Sequence, residues 1–230
     1  MKKIILFITL LIYTSISIAQ DVINRKNRLT GSVSEKYQTI IKADKEEREG
    51  FYQAFYNGTL IASGQYKNNK RTGTWGFYAR NGQAEERYNY DTNTLVAEAA
   101  EDSISNFTYA FDGQFNKMDR ITKPVKIGGR YYGYVPYLKL FKLPADLQDI
   151  RRELFTATLE LLVSPAGRLA EYKIHLKAAN FERVLNYDPD RITDDFKLFV
   201  PATVNKVPVT SRIFISCYVN AIDDIDIDMD

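Results

Sequence analysis

The sequence has very little of what most enzyme and metal sites require. It contains one cysteine, Cys217, and one histidine, His175, in 230 residues. A disulfide framework needs at least two cysteines, and structural zinc sites need clusters of Cys and His, so both classes are excluded. A Ser/His/Asp arrangement would depend on His175 alone, and no carboxylate pair lies in a recognisable catalytic motif. We therefore expect no catalytic residues, no metal site and no cofactor.

The chain is also poor in proline, in long apolar runs and in net charge. Its seven prolines are scattered, which excludes a Pro-rich stalk. The longest apolar run, 4–19, is shorter than the roughly 20 residues that span a bilayer. The 31 basic residues fall to 29, equal to the 29 acidic ones, if Lys2 and Lys3 are removed with a leader. Nothing therefore indicates a nucleic-acid partner held by bulk charge.

The beginning of the sequence resembles a bacterial export signal. Residues 1–19 contain a positively charged beginning, then the apolar run, then the small residues Ser17 and Ala19 ahead of a cleavage site at Gln20. The sequence therefore predicts a periplasmic or secreted protein. If the leader is retained, the same segment predicts a membrane-anchored one.

Residues 50–96 contain an internal repeat. The tripeptide Gly-Phe-Tyr occurs at 50–52 and again at 76–78, and similarity at such a period indicates repeated structural units. Asn-Gly pairs at 57–58 and 81–82 suit the positive φ angles of type I′ turns. Because aromatic and aliphatic residues flank each pair, every unit is predicted to be a β-hairpin.

The segment 64–78, GQYKNNKRTGTWGFY, resembles the MORN-type repeat of secreted bacterial proteins, typically G-x-Y-x-N-G-K-x-x-G-x-W-x-x-Y. Asn69 stands where that repeat usually has a turn glycine. The resemblance implies a β-hairpin array over 29–96, with an aromatic stack in its core. We expect the basic run 67–71 to be a solvated hairpin tip; a phosphate or lipid headgroup contact is the alternative. The residues expected in the stack are Tyr66, Trp75, Phe77 and Tyr78.

Residues 97–142 are predicted to be a connector. Gly128-Gly129 suits a turn, and an anion-binding nest of backbone N–H groups is the alternative. An aromatic cluster follows, which either covers a sheet face or forms an exposed contact surface, and the sequence leaves both open. The tyrosines of this cluster are Tyr131, Tyr132, Tyr134 and Tyr137.

The C-terminal half alternates helix and strand signals. Apolar residues at helical spacing follow Pro144 and predict an amphipathic helix through Leu154. Two alternating runs around a turn at 164–167 predict a hairpin. A short helix is expected at 192–198, and a last strand at 207–219. This order predicts an α+β layer.

The same half resembles the C-terminal domain of TonB-like energy transducers. The matching motifs are Leu-Pro at 143–144, Val-Ser-Pro-Ala-Gly-Arg at 163–168, Phe-Val-Pro-Ala at 199–202 and Val-Pro-Val at 207–209. The resemblance implies a TonB C-terminal-like domain over 143–222. The acidic segment 223–230 is expected to be a solvated tail, with a weak calcium site as its alternative. If the edge of the last strand is already occupied within the chain, this segment is its expected occupant. The predicted fold class is thus α+β, a MORN-like antiparallel hairpin array followed by a small α+β domain.

In TonB-like domains the last strand is the one that pairs with a partner peptide. The resemblance therefore implies a non-catalytic periplasmic or cell-envelope module that binds a protein partner by strand addition, with an outer-membrane receptor as one candidate. The alternative is a structural envelope protein that contacts membrane or peptidoglycan through the hairpin array. The residues predicted on the partner-binding edge strand are Arg212, Phe214, Ser216 and Tyr218.

Overall fold

The computed structural model describes residues 21–101, 105–178 and 181–228. The leader predicted at 1–19 lies outside these residues. Within them the chain forms antiparallel sheets and one short α-helix, α1, at Val135–Leu140. None of the helices in this part of the chain is long and apolar enough to cross a membrane. The predicted architecture of β-hairpins is therefore present, in an α+β or mostly-β fold.

The N-terminal half is a seven-stranded meander in which every strand pairs with the next. This is the arrangement that a row of hairpins produces, because short turns leave consecutive strands adjacent. Its strands are β1 (Ile23–Arg28), β2 (Val33–Lys42), β3 (Lys45–Tyr56), β4 (Thr59–Lys67), β5 (Lys70–Tyr78), β6 (Ala84–Asn89) and β7 (Thr94–Glu98).

The Asn-Gly pair at 57–58 has the type I′ backbone that the sequence predicts. In the pair at 81–82 only Gly82 has positive φ, so the type I′ turn predicted there is wrong. Asn57 and Gly58 both have positive φ, 45° and 94°. Asn68 and Asn69, between β4 and β5, have φ of 49° and 65°. Asparagine tolerates the left-handed region better than other residues with a side chain. Asn69 therefore makes the turn for which the MORN-type repeat uses glycine.

The aromatic stack of the array is buried as predicted. Trp75 is 0% exposed, and its ring centroid lies 5.2 Å from that of Tyr52 and 5.3 Å from that of Tyr66. Phe77 continues the stack 6.1 Å away. Tyr78 is the exception: strand alternation places it on the opposite face from Phe77, and it is only half-buried.

The basic run 67–71 is not a uniformly solvated tip. Lys67 and Lys70 are exposed, but the Arg71 side chain is 1% exposed and lies inside the aromatic stack. Alternation along β5 is the reason, since Arg71 falls on the same face as the buried Trp75.

The predicted connector is part of the core. The four tyrosines of its aromatic cluster, Tyr131, Tyr132, Tyr134 and Tyr137, are all buried. Tyr132 stacks on Phe77 of the array at 5.9 Å. The hydroxyl of Tyr137 donates to the carbonyl of Phe196 at 2.7 Å. The aromatic cluster therefore joins the two halves of the chain and is not an exposed contact surface.

The C-terminal half is built around a second sheet, in the order β13-β12-β11-β17, with β8 and β18 both along the outer side of β17. The predicted hairpin is β11 with β12. The strands of this sheet are β8 (Phe107–Phe111), β11 (Thr156–Val163), β12 (Leu169–Ala178), β13 (Phe181–Tyr187), β17 (Ser211–Val219) and β18 (Ile225–Ile227). Short pairings elsewhere involve β9 (Ile121–Thr122), β10 (Val125–Lys126), β14 (Phe199–Val200), β15 (Ala202–Val204) and β16 (Val207–Val209).

The two α-helices predicted for this half are wrong. The segment after Pro144 forms two 3₁₀ turns, Ala145–Leu147 and Arg152–Leu154, separated by an extended residue at Arg151. Leu147 is buried but Leu154 is exposed, so a continuous helix would not bury its whole apolar stripe. At 192–198 the only helical turn is the 3₁₀ turn Asp194–Phe196.

The acidic tail is also not merely solvated. Its residues Ile225–Ile227 form β18 and are buried against β17. Burial raises the pKa of Asp226, while its hydrogen bonds to the Ile227 amide and to Tyr131 oppose that rise. The two isoleucines bring the intervening acid into the sheet because their burial is more favourable than leaving the segment in water.

Candidate functional site

The four residues predicted to line a binding edge lie together on β17, on the face turned away from the core. The strand carrying them is not an edge. On one side β11 pairs with it from 211 to 218. On the other side β8 pairs with 211–215 and β18 with 217–219. The expected edge at Arg212, Phe214, Ser216 and Tyr218 is therefore wrong.

Ser216 shows how complete this pairing is. Its N–H donates to the carbonyl of Asn106 at 3.0 Å, and its carbonyl accepts from the N–H of Asp228 at 3.1 Å. Both of the groups that a peptide would have used are already bonded within the chain. β8 comes from the predicted connector, which is far from β17 in sequence. No local sequence pattern predicts such a long-range pairing.

The outward face of this sheet carries an ion-pair network. Glu160 on β11 lies between His175 on β12 and Arg212 on β17, with oxygen–nitrogen distances of 2.5 and 2.8 Å. Partial burial raises the pKa of Glu160, but hydrogen bonds from His175 and Arg212 outweigh it and hold the pKa below its usual value. The one histidine thus faces outward, as predicted, and the network holds three adjacent strands together.

One outer edge of this sheet is β13, and the other is formed by β8 and β18. Within the described residues β13 pairs with β12 on one side and with no strand on the other. Its side chains alternate regularly, with Glu182, Val184 and Asn186 exposed and the residues between them half-buried. The sequence did not predict this strand. Its inward side chains are only half-buried, so apolar and polar residues do not alternate clearly along it.

A second polar site lies where the connector meets the array. The N–H groups of Gly128 and Gly129 donate to the two oxygens of Glu86 at 2.9 and 3.2 Å. Both glycines have positive φ. This is the nest that the sequence left open as an alternative to a plain turn. A carboxylate of the chain itself occupies it.

A bulge in the array brings two acids to this nest. Phe77 pairs with Glu86, and Tyr78 pairs with Ala84, which leaves Glu85 as the extra residue. A bulge turns consecutive side chains to one side of a strand. Glu85 accordingly accepts from the backbone N–H and Nε of Arg130 at 3.1 and 3.2 Å. Two adjacent glutamates thereby hold the connector against the array.

The burial of Glu86 predicts a pH dependence of stability. Burial raises its pKa from 4.5 to about 7, although the two nest N–H groups oppose the rise. The folded protein therefore binds more protons than the unfolded chain between pH 4.5 and 7, and loses stability as pH rises through that window. Glutamine at this position cannot titrate. We expect Glu86→Gln to gain stability relative to the native protein as pH rises from 4.5 to 7.

The neighbouring Lys126 adds to the stability that Glu86→Gln is expected to gain relative to the native protein. Burial lowers its pKa to about 7, and the charge of Glu86 opposes that shift. In the glutamine variant Lys126 loses this support, so it gives up its proton at lower pH and adds to the relative gain. Urea unfolding at several pH values measures the effect, with the exposed Glu153→Gln as control. A constant difference between Glu86→Gln and the native protein across the window would contradict the assignment.

Within the described residues, no group of three His, Cys, Asp or Glu side chains is arranged to hold a metal ion. Comparison of the chain with protein-family models, with curated proteins and with solved structures gave no match.

Proposed function

We propose that this protein is a non-catalytic module of the cell envelope that binds a partner protein by strand addition. The single observation that carries the proposal is the open outer side of β13. An edge strand of this kind presents unpaired N–H and C=O groups, and an extended peptide satisfies them while its alternate side chains contact the sheet. The proposal moves the binding strand from β17 to β13.

The other edges of the two sheets are less suited to this role, and those at β8 and β18 have only five and three residues. β1 carries Arg25, Lys26 and Arg28 within six residues, and charged edges discourage pairing. β7 is shorter, at five residues. β13 has seven residues, one acid and one base that balance, and an exposed valine at 184. Its length and neutrality favour it.

The sequence motifs support the same proposal. We assign the array to the MORN-like type and the C-terminal half to the TonB C-terminal-like type, whose partners bind as strands added to the last strand; in this proposal the added strand pairs with β13 instead. The leader pattern supports an exported protein. The scattered prolines leave no stalk, which favours a local binding role over energy transduction across the periplasm.

The proposal predicts where a bound partner protects the chain. We expect amides at 181–187 to exchange rapidly at alternate positions in the isolated protein, and to become protected when the partner is added. The partner is first trapped from envelope extract by a photo-crosslinking residue placed at position 184. Hydrogen exchange with the purified partner then maps the contact.

A matched pair of substitutions tests the side-chain contribution. Val184 on β13 and Val207 on β16 are both exposed valines, 42% and 63%. We expect Val184→Glu to weaken partner binding at least tenfold without changing Tm, and Val207→Glu to leave it unchanged. Protection confined to the array, on adding peptidoglycan fragments or lipid vesicles, would instead support the structural envelope role.

A further inference from the structure

A cleft of about 460 Å³ lies between the array, helix α1 and the segment around Phe196. Strands β2 and β3 supply Glu35, Arg48 and Tyr52 to it, and α1 supplies Val135 and Lys139. The volume is in the range of small-molecule sites, and junctions between parts of a fold are where such sites occur. It is separate from the edge strand β13.

The floor of the cleft is polar but already satisfied. Glu35 is buried and accepts from the Tyr52 hydroxyl at 2.9 Å and from Arg48 at 3.1 Å. The Tyr132 hydroxyl donates to that of Tyr52 at 2.9 Å, and Arg71 donates to Tyr132 at 3.4 Å. Because these groups bond one another and the rings of Tyr52 and Tyr132 are buried, the floor, within the described residues, offers a ligand no free polar group and little ring surface.

The walls above this floor are apolar. Beneath them lie the buried rings of Tyr132 and Tyr52 and the buried side chain of Val135. Leu29, Leu140 and Phe196 form the walls and are partly buried. Such a lining favours a compact apolar or aromatic body, whose ring can pack against those of the protein.

The charge of the cleft is concentrated at its rim. Lys139 and Arg191 both line it and are both exposed. Among the described residues neither has a carboxylate within 4.0 Å. Thr193 adds a hydroxyl beside them. Glu35 does not offset these cations because Arg48 already pairs with it.

We propose that this cleft binds a compact aromatic carboxylate, with its ring against Leu29, Leu140 and Phe196 and its carboxylate between Lys139 and Arg191. The ligand is either a free acid or the C-terminal residue of a peptide, since both present the same chemistry. Charge-assisted hydrogen bonds to the carboxylate supply the specificity. An aliphatic chain fits less well, because the partly buried ring of Phe196 favours packing against another ring.

Calorimetric titration with N-acetyl-L-phenylalanine tests the proposal, with N-acetyl-L-phenylalaninamide as the uncharged match. We expect saturable binding of the acid, at least tenfold tighter than that of the amide. The double variant Lys139→Gln, Arg191→Gln should remove this preference, and Lys70→Gln, an exposed lysine outside the cleft, should preserve it. Equal affinity for acid and amide, or no saturable binding of the acid below about 5 mM, would overturn the proposal.

Two further probes identify the source of the ligand. A hexapeptide ending in phenylalanine that binds at least tenfold tighter than the free acid, and loses binding when amidated, would support a protein C-terminus. Equal affinity would support a small acid. Decanoate binding more tightly than N-acetyl-L-phenylalanine would contradict an aromatic site. Val184→Glu should leave all these affinities unchanged, so failure here is distinguishable from failure at β13.

Discussion

Replacing Trp75 by alanine is expected to lower the free energy of unfolding by about 3–5 kcal/mol, the usual cost of deleting a fully buried large aromatic side chain. The ring touches Tyr52, Tyr66 and Phe77, so its loss leaves a cavity at the centre of the array. Its Nε1 also donates to the carbonyl of Gln65 at 3.2 Å, and that acceptor would lose its partner. Urea unfolding followed by far-UV circular dichroism measures the change.

The neighbouring strand β4 cannot move in to fill the cavity that Trp75→Ala would leave. The backbone of Gly64 lies directly against the Trp75 ring, and a Cβ there would fall 2.2 Å from it. The repeat therefore uses glycine beneath its tryptophan, and the strand is already as close to the ring as it can come. Phe51→Ala, at an exposed aromatic of the same array, is the control and should cost under about 1 kcal/mol. Equal unfolding midpoints for Trp75→Ala and the native protein would refute burial as its role.

Arg71→Met is expected to lower the free energy of unfolding by about 2–4 kcal/mol, because it leaves buried hydroxyls without their donor. The guanidinium donates to the hydroxyl of Tyr90 at 2.6 Å and to those of Tyr66 and Tyr132 at 3.4 Å. Its central carbon lies 4.6 Å from the Trp75 ring centroid and 4.4 Å from that of Phe196. Methionine preserves much of the apolar contact, so the loss reports the polar bonds and the cation–π contacts.

The position of Arg71 makes the expected loss cooperative across the chain. Tyr66 and Tyr90 belong to the array, Tyr132 to the connector and Phe196 to the C-terminal half. Arg71 thus joins all three. Its ion pair with Asp195, at 3.6 Å, contributes little because that carboxylate is about half exposed. Lys70→Met, one residue away and exposed, should change stability by no more than about 0.5 kcal/mol.

A separate measurement distinguishes this role from simple packing. We expect Arg71→Met to unfold the two halves of the chain at different urea concentrations, as read from hydrogen exchange in β5 and in β11. The native protein should lose protection of both together. Coincident loss in the variant, with an unchanged midpoint, would show that Arg71 does not couple them.

The hairpin array could be predicted because its signals are local. A turn between adjacent strands depends on the few residues that form it, as at Asn57 and Gly58, and pairing of neighbours needs little chain closure. The burial of Trp75 followed from the same repeat. The hairpin of β11 and β12 was equally predictable, since alternating runs flank a turn with glycine at 167.

The pairing of distant segments could not be predicted in the same way, although the acidic tail was the expected occupant of the β17 edge if that edge was covered within the chain. β8 and β18 both complete the side of β17 that was expected to be open, and their short sequences resemble a connector and a solvated tail. Each becomes a strand only because β17 offers unpaired backbone groups beside an apolar core. The predicted helices failed for a related reason: spacing alone suggested an amphipathic stripe, but the core accepts Leu147 and leaves Leu154 in water.

The amino-acid sequence by itself determined the turn at Asn57 and Gly58, the alternation of the hairpins and the aromatic residues available for a core. Only the tertiary structure decided which basic residue is buried, which carboxylate occupies the Gly128-Gly129 nest and which strand is left at an edge. Those outcomes depend on contacts between segments far apart in sequence. Arg71 shows the physical reason: an arginine in a hairpin sequence favours water, and it becomes a core residue only where aromatic rings and hydroxyls from three parts of the chain replace its hydration.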